Sequence, residues 1–270
     1  MSLVSTEWLE KNLKNVRIID ASWHMPSSKR NADKEFLKIH IENTVFFDLN
    51  KYSDEKSSLP HMMPDKDKWE KIVSDQGIKN SDQIIIYDDS DTISSCRCWF
   101  TFIYFGHDPN KVSILDGGLK KWINEKRFVT SNLRKFDKSK YDVTEKKFLI
   151  KNKEQISKNI NTKVFELIDA RSEQRFKGQA SEPRKGLKSG HIPNSKNIPF
   201  TDCLNKADRT FKKKEDLIKI FAKQNIDIKK DVVFTCGSGV TACVLGLANF
   251  VISDKTPIIY DGSWSEWGKE

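Results

Sequence analysis

No apolar run in this sequence approaches the length needed to cross a bilayer, so a helical membrane span is excluded. No CxxC pair occurs among its five cysteines, an odd number, which argues against both a disulfide framework and a zinc site. Lysine and arginine outnumber aspartate and glutamate, 47 to 38, for a net charge of +9, yet there is no long basic run. The nearest approach, Lys212-Lys213-Lys214, is followed at once by Glu215 and Asp216. Without a basic stripe interleaved with aromatics, nucleic acid is not an expected partner. The scattered lysines form a solvated surface whose positive field favours small anions. The start, Met1 to Trp8, has neither a charged lead before an apolar core nor an Arg-rich transit character, and it runs into a helix capped by Ser5 or Thr6. The expectation is a soluble monomer of the reducing cytoplasm that uses no metal or organic cofactor.

What is present is enough for two cores: 270 residues, 37% of them hydrophobic and 10% aromatic. The sequence also repeats itself. Val16 to Ser22 returns as Phe165 to Arg171, with Ile-Asp-Ala at Ile19-Asp20-Ala21 and Ile168-Asp169-Ala170. Ile39-His40-Ile41 answers Gly190-His191-Ile192, and Ile84 to Asp88 answers Val232 to Cys236. Val112 to Gly118 with Trp122 answers Pro257 to Ser263 with Trp267. Four matches in one order indicate a tandem duplication.

Each repeat alternates short apolar runs with helical stretches, among them 69–76 and 215–224. That pattern predicts an α/β fold, each unit a mostly parallel sheet flanked by helices. The expected organisation is one domain over 1–127, a connection over 128–152 rich in lysine, serine and asparagine, and a second domain over 153–270. The connection shows no core element before Phe148-Leu149-Ile150, and a helix restarts after Asn152 with Gln155 completing a capping box.

Chemistry concentrates at Cys236-Gly237-Ser238-Gly239-Val240-Thr241-Ala242, between a buried strand and a helix. Backbone N–H groups converge at such a turn, and with the positive helix end they favour a thiolate, the reactive form of cysteine. Glycines at Gly237 and Gly239 let the backbone approach a ligand at no steric cost. Cys236 is therefore the expected nucleophile. At the matching place the first repeat has Asp88-Asp89-Ser90-Asp91 and no thiol, so it lacks this chemistry. Cys96 and Cys98 read as packing residues. His40 with His191, and Asp20 with Asp169, recur in both repeats and read as structural; Arg171 and Lys177 read as structural or solvated.

These residues resemble the tandem rhodanese family, and the Cys236 loop is similar to that of its 3-mercaptopyruvate sulfurtransferases. Glu182-Pro183-Arg184, Leu59-Pro60-His61-Met62, Asp116-Gly117-Gly118-Leu119 and Asp261 to Trp267 extend the likeness over the whole chain. The resemblance implies transfer of sulfur from 3-mercaptopyruvate, through a Cys236 persulfide, to a thiol, a thioredoxin-like protein or cyanide. It implies Arg175 and Arg184 as the residues gripping the donor carboxylate, for which a planar guanidinium is suited. Gly237, Gly239, Val240 and Thr241 would complete the donor site. Ser238 and His61 match a proton relay whose acidic member falls on Asn50 here; an amide orients an imidazole but does not stabilise its cation as a carboxylate does. Thiosulfate sulfurtransferases share the fold but carry basic residues where this loop has Gly237, Ser238 and Gly239, so thiosulfate is the alternative donor. A non-catalytic binding module is the other alternative. A cysteine phosphatase needs an arginine closing the loop, where this chain has Ala242 or Cys243.

Overall fold

The computed structural model describes residues 2–226 and 230–269, and the chain divides into two compact units. The first comprises Met1–Glu55, Met63–Lys146 and Lys206–Thr210; the second comprises Lys56–Met62, Lys147–Asn205 and Phe211–Glu270. Each unit thus includes a short segment lying between stretches of the other. The stretch 128–152, expected as a connection, divides at Lys146 between the two.

The first unit runs β1 (Leu3–Val4), α1 (Thr6–Asn12), β2 (Arg17–Asp20), α2 (Ala32–Lys38), β3 (Thr44–Phe46), α3 (Lys66–Asp75), β4 (Ile84–Tyr87), α4 (Ser95–Tyr104), β5 (Val112–Leu115) and α5 (Gly118–Asn124). The second repeats the plan with β6 (Ile150–Lys151), α6 (Lys153–Thr162), β7 (Glu166–Asp169), α7 (Glu173–Phe176), β8 (Lys196–Asn197), α8 (Lys214–Lys223), β9 (Val232–Thr235), α9 (Ala242–Ser253), β10 (Ile258–Tyr260) and α10 (Ser263–Trp267). The sheet orders are β1-β5-β4-β2-β3 and β6-β10-β9-β7-β8, and every ladder is parallel. The expected α/β fold is present in both units. The central strands β4 and β9 are buried along their whole length, as a parallel sheet covered on both faces requires.

The repeat extends to single hydrogen bonds. Ala21 N–H donates to Tyr87 O and Ala170 N–H to Thr235 O, both at 2.8 Å; Leu119 N–H donates to Asp88 O and Trp264 N–H to Cys236 O, both at 3.0 Å. The cores correspond as well: Ile18, Ile41, Ile85 and Leu119 cluster in one unit, Leu167, Ile192, Val233 and Trp264 in the other. His40 and His191 bond through Nδ1 to Phe36 O and Phe176 O and stack on those phenyl rings, which is the structural role expected of them. The helix caps are also as expected, Ser5 on α1 and the Asn152–Gln155 capping box on α6.

One expectation fails. The segment before Phe148 does hold core residues: Tyr141 is fully buried and Val143 nearly so, while Phe148 itself is exposed. Tyr141 stacks on His107 and shares a 2.9 Å hydrogen bond with its Nδ1. From 131 to 146 the chain is neither helix nor strand, so its apolar residues follow no period that sequence inspection can detect.

Asp20 and Asp169 close equivalent turns, accepting from Ser22 N–H and Arg171 N–H at 2.9 Å. Asp169 also pairs with the Arg171 guanidinium at 2.7 Å, whereas Asp20 forms no ion pair among the described residues. Burial pushes the Asp20 carboxyl up to about 7, against hydrogen bonds from Ser22 and Tyr87 that pull it down. The folded state therefore binds this proton where the unfolded chain has lost it. The stability this supplies is present below about pH 4 and is lost as pH rises through about 7. Asp20→Asn keeps the acceptor for Ser22 N–H and removes the charge. The variant is expected to exceed the wild type at pH 8 by up to about 4 kcal/mol, the advantage fading toward pH 4. Denaturation midpoints across pH 5–8 test this; a pH-independent difference contradicts it.

Candidate active site

The site forms where connections from neighbouring strands part. In the second unit β7 leads outward to β8 while its neighbour β9 leads the other way to β10, and ligands of open α/β sheets bind at such a crevice. Asp169 pairs with Thr235 at the carboxyl ends of β7 and β9, so the residues following each strand are side by side. Cys236 is the first residue beyond β9 and is 2% exposed.

The loop after it is pinned from one side. Cys236 N–H donates to Ser263 Oγ at 3.2 Å, and Ser263 Oγ donates to Tyr260 O at 2.8 Å. Gly237 O accepts from Ser265 N–H at 2.9 Å and from Ser265 Oγ at 2.6 Å. Cys243 Sγ reaches back to Gly239 O at 3.2 Å. Gly239 has φ +76°, a left-handed turn that a glycine makes without strain. Among the described residues, the N–H groups of Gly237, Ser238, Val240 and Thr241 donate to no protein acceptor. Together with the amino end of the 12-residue helix α9 they form a cradle for an anion.

Guanidinium groups gather above it. A methyl group built on Gly237 would lie 3.2 Å from Arg175 Nη2 and 3.8 Å from Arg184 Nη1, so both arginines face the loop. Arg175 is held by Glu182, Nε to Oε1 at 3.2 Å and Nη2 to Oε2 at 2.5 Å. Glu182 Oε1 also accepts from Arg171 Nη1 at 2.8 Å, and Arg171, wholly buried, stacks on Trp264 at 4.2 Å. The chain Asp169–Arg171–Glu182–Arg175 alternates in sign. Arg184 stands outside it. It forms no ion pair among the described residues, and Nη2 donates to Ser238 Oγ at 3.3 Å. Burial draws its guanidinium below the ordinary range, as does neighbouring Arg175, while the negative charges of Cys236 and Glu182 act the other way.

His61 belongs to this unit although it precedes β4 in the chain. It is buried, has φ +60°, and places Nδ1 3.0 Å from Ser238 Oγ. Ser238 thus takes a hydrogen from Arg184 and shares a second bond with His61, where either partner supplies the proton. Asn50 belongs to the first unit; its Oδ1 accepts from Trp23 Nε1 at 3.0 Å. Cys236, Gly237, Ser238, Gly239, Arg175, Arg184 and His61 lie together in the second unit. Val240 and Thr241 join through their amides, the Val240 side chain being buried. Sequence reasoning gave no role to Glu182, nor to Ser263 and Ser265. All three lie in segments that carried the family likeness, which marked the segments and not what these side chains do.

The first unit fills the corresponding cradle with its own side chain. Asp88 accepts from Ser90 N–H at 3.2 Å through Oδ1 and from Ser95 N–H at 2.6 Å through Oδ2. Cys96 and Cys98 lie fully buried within α4, as the packing role expected of them requires.

Comparison with known proteins adds a family. The model of the rhodanese-like domain matches residues 5–125 and 152–270. The 3-mercaptopyruvate sulfurtransferase of Mus musculus is 37% identical over 98% of this chain and 91% of its own length. The thiosulfate sulfurtransferase of the same organism is 36% identical, also over 98% and 91%. The crystal structure of SseA from Escherichia coli, described as a 3-mercaptopyruvate sulfotransferase with the rhodanese fold, matches with a TM-score of 0.88 at 30% identity, covering 98% of this chain and 100% of its own.

A cysteine beside an arginine that has no carboxylate partner should discriminate between alkylating agents by charge. Iodoacetate is expected to outpace iodoacetamide at Cys236 relative to free cysteine. Arg184→Ala should reduce that ratio about tenfold or more, the worth of one charged hydrogen bond. Peptide mapping of alkylated Cys236 over time measures it; an unchanged ratio refutes it.

Proposed function

The chain belongs to the rhodanese family, with two rhodanese-like domains in tandem, and we propose that it is a sulfurtransferase working through Cys236. The second domain takes sulfur from 3-mercaptopyruvate, carries it as a persulfide, and passes it to a thiol, a thioredoxin-like protein cysteine or cyanide. The observation that carries this reading is the geometry at Gly237, where two guanidinium groups face the cysteine loop beside amides of Gly237, Ser238, Val240 and Thr241 that have no acceptor among the described residues.

Arg184 grips the donor carboxylate, since its half-buried charge has no carboxylate partner among the described residues, and Arg175 assists from an orientation fixed by Glu182. Cys236 attacks the donor sulfur as the thiolate. An S–S bond forms while the C–S bond of the donor breaks, and the carbon leaves with the electron pair as pyruvate enolate. A proton delivered to that carbon gives pyruvate; Ser238, bonded to His61, is the route we assign. The loop amides hold the negative sulfur of the persulfide. An acceptor thiolate then attacks the outer sulfur, a new S–S bond forms, and the Cys236 thiolate departs. Cyanide takes the same sulfur to give thiocyanate. The first domain has no nucleophile and does not turn over.

Relatives named for either donor are 37% and 36% identical to the chain, so donor choice is argued from the loop. A doubly charged thiosulfate calls for cations beside the sulfur, and Gly237 to Gly239 supply none. The pair of arginines suits a carboxylate set back from the reacting sulfur. Monomeric action in a reducing cytoplasm belongs to the same proposal. None of the five cysteines forms a disulfide, and among the described residues no helix is long and apolar enough to cross a membrane.

Treatment with 3-mercaptopyruvate should add one sulfur, seen by mass spectrometry, to the peptide containing Cys236. Cys236→Ser should abolish both that mass and thiocyanate formation while remaining folded. Labelling of Cys96, Cys98, Cys203 or Cys243 instead would remove the assignment. For the donor, kcat/KM should be much larger with 3-mercaptopyruvate than with thiosulfate. Arg175→Ala should lower it by about one to two decades for 3-mercaptopyruvate, with Arg175→Lys recovering only part because a point charge lacks the planar fork. Values within about twofold of wild type would assign the carboxylate to Arg184 alone.

A further inference from the structure

The internal repeat permits one side of the molecule to be compared with the other. In the second unit a buried guanidinium occupies a cage next to the sheet. Arg171 lies against Asp169 (Nη2 to Oδ2, 2.7 Å), donates to Gly190 O at 2.8 Å and to Glu182 at 2.8 Å, and stacks on Trp264. In the first unit the residue at the place of Arg171 is Ser22. Its N–H bonds to Asp20 as Arg171 N–H bonds to Asp169, so the two carboxylates are set alike. The counterpart of Gly190 is Ile39, next to the equivalent histidine, and that of Trp264 is Leu119, whose N–H makes the matching bond to the loop.

Asp20, Ser22, Ile39 and Leu119 all line one cavity of about 150 Å³, and a further acid, Glu35, lines it too. The cavity lies among the positions where the first unit has serine for the arginine and leucine for the indole. The cage carboxylate is kept. We infer that this cavity of the first unit is a binding site for a guanidinium group, carried by a small solute or by an arginine side chain.

Several features fit that ligand. Phe36, Leu119 and Ile123 supply apolar wall, as an alkyl chain and the faces of a guanidinium require. Three acids, Asp20, Glu35 and Asp89, line the cavity against two bases, Arg30 and Lys38. Arg30 is already engaged. Nε and Nη2 bond to Glu35 at 3.0 and 2.7 Å, and Nη2 also reaches Asp89 Oδ2 at 2.6 Å. Lys38 is exposed. Asp20, in no ion pair among the described residues, is therefore the acid left for a cation, which it meets as a carboxylate above about pH 7.

Binding is tested on the full chain by amide chemical shifts at constant ionic strength, with ethylguanidinium as probe and ethylammonium as the control. Ethylguanidinium should give saturable shifts at Ser22, Ile39 and Ile123, with ethylammonium several-fold weaker for want of a planar fork. Asp20→Asn should weaken the binding about tenfold or more. Ser22→Arg should fill the cavity with the chain's own guanidinium, raise the denaturation midpoint and abolish the shifts, while sulfur transfer at Cys236 is unchanged. N-acetylarginine amide sorts the source. If it binds as well as ethylguanidinium, an arginine side chain of a polypeptide fits the mouth; if only ethylguanidinium binds, the ligand is a small guanidino compound. Absence of saturable shifts, an equal response to ethylammonium, or binding unaffected by Asp20→Asn would each overturn the inference. None of these outcomes bears on whether Cys236 transfers sulfur.

Discussion

Everything around the sulfur depends on the register of two parallel strands. Asp169 lies opposite Thr235 across β7 and β9, which sets the residues following each strand, Arg171 and Cys236, over the same crevice. A slip of one residue would turn every side chain of β7 to the other face and take the guanidinium cage away from the loop. Burial on both faces of the central strand β9 resists such a slip, because it would place polar side chains among apolar neighbours. The site is precise because the sheet beneath it has one acceptable register.

On that base, charge is organised by alternation. Asp169, Arg171, Glu182 and Arg175 form a chain in which each interior member contacts two of opposite sign. Arg171 and Glu182 are almost wholly enclosed, and breaking a buried ionic cluster costs roughly 3–5 kcal/mol. The cluster is a positioning device. It spends burial on holding Arg175 still, so that little ordering is left for the moment of binding. Arg184 differs in kind, being a partly desolvated cation held near the cradle by neutral Ser238.

The two units show how one fold keeps or discards an anion site. Both place a loop and a helix start after the central strand. In the first, Asp88 folds back onto the amides of Ser90 and Ser95, and an internal carboxylate takes the place an external anion would have. In the second, the amides of Gly237, Ser238, Val240 and Thr241 donate to no acceptor among the described residues, while Ser263 and Ser265 hold the loop from behind. Aspartates at 88, 89 and 91, where the second unit has Cys236, Gly237 and Gly239, and serine at 22, where it has Arg171, distinguish the first loop from the reactive one.

Much of this was legible beforehand. The duplication, the parallel α/β units and Cys236 are written in local order: apolar runs of strand length, a glycine-bearing turn and a helical pattern, each recognisable within about ten residues. Arg175 and Arg184 were accessible through their motif. The rest depends on contacts between residues far apart in the chain. Glu182 as the clamp of Arg175, His61 packed against Ser238 at a separation of 177 residues, the burial of Tyr141 in a segment without periodicity, and the cavity beside Asp20 all arise only once the sheets are assembled. The sequence by itself determined which elements form and where a nucleophile sits, because both follow from short-range backbone preference and burial pattern. Only the tertiary structure decided which charges face the sulfur and which pair with one another, because those choices are settled by through-space distances that no spacing along the chain encodes.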